Sequence, residues 1–170
     1  MATPKKVQEP VTAEEKQTLN EKATSDTVSY YEGIGRRRTA TSRVRLYVVP
    51  EEKLTIRGVE VLKGNAIINE RPIESYFPGE IMKKLYTEPF RTTNTMNRFA
   101  VSATTSGGGL NGQLDAFVLG ISRALLKVDL EKFRPILKKR GFLTRDPRAR
   151  ERRKPNRGGK ARAGKQSPKR

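Results

Sequence analysis

The stretch SGGGLNGQLDAFVLGISRALL, residues 106–126, decides the fold, because a glycine-rich loop there leads from a strand into the clearest helix of the chain. Apolar residues alternate over 98–105, which predicts the strand, and recur at helical spacing over 114–128, which predicts the helix. These residues are Phe99, Val101 and Ala103 in the strand, and Phe117, Ile121, Leu125 and Val128 in the helix. Gly120 lies inside the helix at a cost of about 1 kcal/mol relative to Ala. A close packing contact at Gly120 would account for it.

Weaker patterns surround this unit. Residues 42–49 alternate and predict a half-buried strand, with Val44, Leu46 and Val48 on one side and Arg43, Arg45 and Tyr47 on the other. After Pro50, residues 51–63 indicate a hairpin or loop, and residues 66–68 a short return strand. A helix is predicted over 79–85 with an apolar side formed by Ile81, Met82 and Leu85. A second short helix is predicted over 134–140, with Pro135 in its first turn and Gly141 as its cap.

Charge is distributed unevenly along the 170 residues. The chain has 36 Lys and Arg against 18 Asp and Glu, a formal net charge of +18. Residues 134–170 alone have sixteen basic side chains and two acidic ones, a net of +14. We therefore predict three parts: a flexible extension over 1–28, a folded domain over 29–141, and an extended basic tail over 142–170 that becomes ordered on a partner. So large a positive charge favours a polyanionic partner, with nucleic acid first and an anionic membrane surface second.

Several classes of function lose support from composition. The chain has no Cys and no His, so a disulfide scaffold, a thiolate nucleophile and an imidazole base are all missing. A metal site would need carboxylates alone. We find no apolar run long enough to span a bilayer and no signal-peptide pattern, so a cytosolic protein is expected.

The spacing G-x-G-x-x-G occurs in Gly107, Gly109 and Gly112, and it allows three interpretations. In the first, the loop binds a dinucleotide, and Glu131 is near the offset of the ribose-binding acid. That acid should end a second parallel strand, but the sequence around Glu131 predicts a helix. In the second, the loop is a turn without a ligand. In the third, which we favour, free backbone N–H groups at a helix N-terminus bind a phosphate of RNA.

Two basic segments favour RNA. Residues 35–43, GRRRTATSR, interleave four arginines with hydroxyl side chains and contain no acid, a combination that suits phosphate and sugar oxygens. A solvated charge run is the alternative. The tail has Gly and Pro among its basic residues, which disfavours an amphipathic helix on a membrane. A nonspecific solubilising or counter-charge segment is the less favoured alternative, since an extended basic segment can enter gaps between RNA helices.

Longer stretches resemble one family, the ninth small-subunit ribosomal protein of bacterial type. The resemblance covers residues 29–170 and is found in YYEGIGRRRTATSRVRLYV, GNAIINERPIESYFP, SGGGLNGQLDAFVLGISRALL, RPILKKRGFLTRDPR and the final Lys169-Arg170. It implies an α+β fold with a four-stranded sheet, helices on one side, a left-handed βαβ crossover like that of the second domain of the fifth small-subunit protein, and a long basic C-terminal tail. Residues 51–63 look like an insertion where the family usually has a short turn. The family commonly has a closely spaced aromatic residue and serine before its final Lys-Arg, whereas here Pro168 precedes Lys169.

The resemblance also implies partners and sites. The expected partners are small-subunit rRNA in the head, peptidyl-site tRNA and neighbouring head proteins, without a cofactor, a small-molecule substrate or a membrane. The residues implied to contact rRNA are Arg36, Arg37, Arg38, Thr39, Ser42, Arg43, Gly107, Gly108, Gly109, Gln113, Arg123, Arg145 and Arg148. Lys169 and Arg170 are implied to contact tRNA. We thus expect a ribosome-bound, non-catalytic protein, with a nucleotide enzyme and a histone-like DNA compactor as rivals.

Overall fold

Seven strands and four helices make up the part of the chain that the computed structural model describes, residues 29–48, 53–56 and 59–150. In chain order they are β1 (Tyr30–Arg37), β2 (Ala40–Val48), β3 (Lys53–Ile56), β4 (Val59–Leu62), β5 (Ala66–Ile68), β6 (Arg71–Pro72), α1 (Ile73–Tyr76), α2 (Glu80–Thr92), β7 (Phe99–Ser106), α3 (Leu110–Val128) and α4 (Leu130–Lys139). The fold is therefore mixed α+β, as the sequence predicts.

The main sheet has five strands in the order β1-β2-β7-β5-β6. The predicted count of four is wrong, because the chain turns back after β5 at Asn69 and Glu70, both with positive φ, and adds the two-residue strand β6. Neighbouring strands are antiparallel except β5 and β7, which are parallel and joined by a crossover containing α1 and α2. The left hand of this crossover stays a prediction. Strands β3 and β4 form a separate hairpin within the 51–63 segment.

The core lies on one face of the main sheet. Side chains of β2 and β7 such as Val44 and Val101 meet Phe117 of α3, and all three longer helices contribute to this one buried cluster. On the opposite face, Arg43 and Thr104 are paired neighbours and both are exposed. The alternation predicted for the two strands thus separates an apolar face from a largely polar one, although Tyr47, expected on the polar side, is buried. Val48, expected inside, is exposed at the end of β2.

Glycines let β1 and α3 approach backbone to backbone. A Cβ built on Gly35 would lie 2.6 Å from the amide nitrogen of Gly120, and one on Gly33 would lie 2.6 Å from the nitrogen of Ala124. Real Cβ atoms do not reach such separations. The close contact expected at Gly120 is therefore confirmed: a Cβ there would lie 2.7 Å from Cγ2 of Val44 and 3.4 Å from the Gly35 nitrogen.

Both predicted short helices differ from those observed. Helix α2 continues to Thr92 and buries Tyr86 and Pro89, whereas Ile81 is 77% exposed, so the predicted apolar side is wrong apart from Met82, which packs on the core. Helix α4 begins at Leu130, because the Asp129 side chain accepts a hydrogen bond from the Lys132 amide and caps the helix earlier than expected. Pro135 is consequently inside the helix and not in its first turn. Gly141, with φ of +78°, follows the helix as predicted.

Candidate RNA-binding surface

The arginine cluster forms the tip of the β1–β2 hairpin. Arg37 pairs with Ala40 across the hairpin, and Arg38 and Thr39 make the turn, Arg38 with φ of +52°. Arg36, Arg38 and Thr39 are exposed, and the structure shows no acidic partner for Arg36 or Arg38 among the residues it describes. Their guanidinium groups are therefore available to an anion.

The glycine loop lies directly beside this hairpin tip. Gly107 and Gly108 have φ of +74° and +65°, and a Cβ on Gly108 would lie 3.1 Å from the Cβ of Ala40. Gly109 is the N-cap of α3, and the first intrahelical bond runs from the Gln113 amide to the Gly109 carbonyl oxygen at 3.0 Å. Amides of the first helical turn have no intrahelical acceptor, and the helix dipole is positive at this end. The hairpin tip that has the arginines and the N-terminus of α3 thus lie side by side.

A hydrogen-bond network holds the glycine loop in place. Gln113 Nε2 donates to the Gly107 carbonyl oxygen at 3.0 Å, and its Oε1 accepts from the Tyr76 hydroxyl at 2.9 Å. Asn69 meets both backbone groups of Thr105, donating through Nδ2 and accepting at Oδ1, each at 2.9 Å. Gln113 is therefore a support of the loop. Asn69 and Tyr76 were not among the predicted residues, and no local pattern in the sequence marks them.

Arg37 differs from its neighbours because two carboxylates surround it. It forms an ion pair with Asp115 of α3, and its Nη2 lies 3.3 Å from Oδ2 of Asp146. Asp146 also receives the Arg148 side chain, with Nη2 to Oδ2 at 2.8 Å and Nε to Oδ1 at 2.9 Å. Hydrogen bonds from Arg148 hold the pKa of Asp146 well below the usual value for an aspartate. The positive charges of Arg37 and Arg148 are thus partly neutralised within the protein.

The remaining predicted contacts are scattered. Ser42 is fully buried, and its hydroxyl lies 3.1 Å from that of Thr105. Arg43 is exposed on the open sheet face, 3.5 Å from Glu32, and Arg123 Nη1 donates to the Ile34 carbonyl oxygen at 2.7 Å. Arg145 is exposed. Lys169 and Arg170 lie outside the described residues.

Arg45, which was not among the predicted contacts, adds a second arginine to the open face of the sheet. Its Nε lies 3.3 Å from Glu32, and its guanidinium is 4.8 Å from the centre of the Tyr30 ring. The alternation of β2 places Arg43 and Arg45 on the same face, so this signal was present in the sequence. Both arginines lie near the same glutamate, so these three side chains together have a net positive charge.

Other chemistries find little support in the described residues. The residues the structure describes hold no group of three His, Cys, Asp or Glu able to bind a metal. Glu131 is in the first turn of α4 and not at the end of a parallel strand, so the dinucleotide arrangement is not formed there. In the described part of the chain, no helix has the length and apolar character to cross a bilayer.

A basic hairpin tip beside a helix N-terminus, on a chain with a net charge of +18, defines a nucleic-acid-binding protein. The family model for ribosomal protein S9/S16 matches residues 35–170, from the hairpin to the end of the basic tail. The chain belongs to the ribosomal protein S9/S16 family. The resemblance found in the sequence is thereby confirmed, and with it a structural, rRNA-binding class of protein that serves translation.

Proposed function

We propose that the protein is a structural constituent of the small ribosomal subunit and binds small-subunit rRNA in the head through one surface. This hairpin–loop surface consists of Arg36, Arg38, Thr39, Gly107–Gly109 and the first turn of α3. The observation that supports it is the adjacency of exposed arginines without an acidic partner among the described residues and helix N-terminal amides without an intrahelical acceptor. Both groups bind phosphate oxygens, and backbone phosphates dominate affinity for RNA.

The other predicted residues differ in what their side chains contact. Gln113, Arg37 and Arg123 hold the surface in place through bonds inside the protein. Ser42 is buried, so we leave it out of the contact set. Arg43, Arg145 and Arg148 are exposed and add positive charge outside this surface.

Arg38→Ala tests the rRNA contact, with Arg71→Ala as the matched control. Arg71 is an exposed arginine on β6, at the other edge of the sheet, roughly 19 Å away across four strand spacings. Both variants lose one positive charge. Affinity for small-subunit rRNA is measured by filter binding at several salt concentrations. We expect Arg38→Ala to weaken binding roughly tenfold and to lower the salt slope by about one, and Arg71→Ala to have a much smaller effect.

Equal losses for the two variants would mean that total charge, and not this surface, determines binding. Equal wild-type affinity for duplex DNA of matched length would support the DNA-compacting alternative. Saturable binding of a free dinucleotide would support the enzyme.

We further infer that the basic tail reaches the peptidyl-site tRNA with Lys169 and Arg170. Support comes from the family match, which extends to residue 170, and from the charge of the tail. Small subunits that contain the double variant Lys169→Ala/Arg170→Ala should assemble normally. Their affinity for tRNA should be lower than that of wild-type subunits. The control Lys160→Ala/Arg162→Ala removes the same charge from the same tail. Equal tRNA affinity in both would refute a specific role of the terminal pair.

The same assignment implies a cytoplasmic, ribosome-bound location and contacts with neighbouring head proteins, without a cofactor or small-molecule substrate. Cosedimentation of tagged protein with small subunits from lysate, followed by sequencing of the bound RNA, tests the location. Small-subunit rRNA in that peak is expected, and genomic DNA or mixed RNA without a ribosomal peak would contradict it.

A further inference from the structure

We propose that Asp146 is a positioning residue that holds the start of the basic C-terminal segment against the hairpin–loop surface. Binding of rRNA would then depend on a carboxylate that by itself repels phosphate. This inference rests on the proposed function, since it concerns how the same surface is presented to RNA.

Asp146 connects two arginines that are distant in sequence. Its Oδ2 lies 3.3 Å from Nη2 of Arg37 at the end of β1 and 2.8 Å from Nη2 of Arg148. The backbone amide of Arg148 also donates to its Oδ1 at 3.1 Å. Arg37 is in turn paired with Asp115 on α3. Strand β1, helix α3 and the outgoing chain are therefore linked through two side chains, because Arg37 contacts both Asp115 and Asp146, and Asp146 contacts Arg148.

The segment that leads to Asp146 is attached by apolar contacts as well. Phe142 and Leu143 pack against the core cluster just after α4, so contacts with the core continue past the predicted boundary at residue 141. A groove of about 290 Å³ is lined by residues of β1, α3 and this segment, including Arg36, Phe142 and Asp146. Since the exposed Arg36 lines the same groove, the outgoing segment starts beside the proposed RNA contact.

Charge explains why a carboxylate is needed at this point. Asp146 joins Arg148 to a hairpin tip that already has three consecutive arginines, and like charges so close repel one another. Asp146 offsets that repulsion by accepting bonds from both sides. A segment held in its bound direction loses less conformational freedom when RNA binds, which raises affinity. The tail would leave the domain in a fixed direction because of this one acid.

The test compares Asp146→Asn with Glu131→Gln in the full chain. Glu131 is an exposed acid in the first turn of α4 without an ion pair among the described residues, so both variants remove one negative charge. The probes are small-subunit rRNA and an unrelated structured RNA of similar length. Simple electrostatics expects both variants to bind both RNAs more tightly. We expect Asp146→Asn alone to bind small-subunit rRNA roughly tenfold more weakly while binding the unrelated RNA slightly more tightly.

A second readout needs no RNA. The heteronuclear ¹H–¹⁵N NOE of the Arg148 amide should be high in the wild type and in Glu131→Gln, and should fall in Asp146→Asn. Asp146→Glu should restore it in part, and an unchanged melting temperature confirms that the domain remains folded. The proposal is overturned if Asp146→Asn and Glu131→Gln have the same affinities for both RNAs. It is also overturned if the Arg148 amide keeps its high NOE in Asp146→Asn. If the wild-type protein shows no preference for small-subunit rRNA, the proposed function is refuted instead. The NOE then still tests whether Asp146 holds the segment in place.

Discussion

Gly35→Ala should destabilise the domain, because it places a methyl group between two backbones. The added Cβ would lie 2.6 Å from the Gly120 nitrogen and would also contact the Ala116 carbonyl oxygen. Neither atom can rotate away, as a side chain could. Overpacking of this kind costs about 3 kcal/mol at the upper end of the usual range, and the lower chain entropy of Ala returns roughly 0.5–1. We expect a net loss of about 2 kcal/mol in the free energy of unfolding.

Gly112→Ala is the matched control for this substitution. Gly112 is in the first turn of α3, and its added Cβ would lie 3.6 Å from the Cβ of Ala40, an ordinary contact. Alanine is the better helix former, so stability should rise by up to about 1 kcal/mol. With an unfolding entropy near 2.1 cal/mol/K per residue over ~120 ordered residues, Gly35→Ala should lower Tm by about 8 °C. Thermal and urea unfolding, followed by circular dichroism, measure the stabilities of Gly35→Ala and Gly112→Ala. Equal Tm values for Gly35→Ala and the wild type would refute the backbone contact between β1 and α3.

Two further predictions concern groups near the surface. Ser42→Ala should lower the free energy of unfolding by about 1–3 kcal/mol, because the buried Thr105 hydroxyl loses its partner. The double variant Ser42→Ala/Thr105→Val should recover most of this stability in urea unfolding. A loss of RNA affinity without a loss of stability would instead indicate that Ser42 contacts RNA. The pKa of Asp146 is lowered by Arg148, so its contribution to holding the segment is present above the unfolded aspartate value near 4 and is lost as the pH falls through the lower folded value. The Asp146 carboxyl carbon shift in an NMR titration should therefore change below pH 4, and a midpoint at or above the ordinary value would contradict the bridge.

Strong local periodicity allowed part of the fold to be predicted. Strand β7 and helix α3 were found from apolar spacing, and the glycine in the helix indicated a close contact. The first strand was not separated from the arginine cluster, because Gly33 and Gly35 face the core where a strand usually shows large apolar residues. Helix α2 was predicted too short, since Pro89 interrupts its pattern and its buried residues are few.

For the proposed site, the sequence indicates which residue types would bind phosphate, but not which contacts each residue makes within the protein. Arginines, hydroxyls and a glycine loop indicated phosphate binding, and the structure places the hairpin tip and the loop side by side. Which arginines are neutralised could not be inferred, since Asp115 and Asp146 are far from Arg37 along the chain. Burial of Ser42 likewise follows from the register of β2 against β7, which no local pattern contains.

The bond from Arg123 to the Ile34 carbonyl has a consequence for the protein before it meets RNA. Strand β1 is at the edge of the sheet, and edge strands offer backbone groups that can pair with another copy of the chain. Arg123 occupies one such carbonyl with a positive charge, which opposes the approach of a second strand. Before it binds RNA, the protein should therefore pair less readily with a second copy along this edge, because of an arginine that also connects β1 to α3.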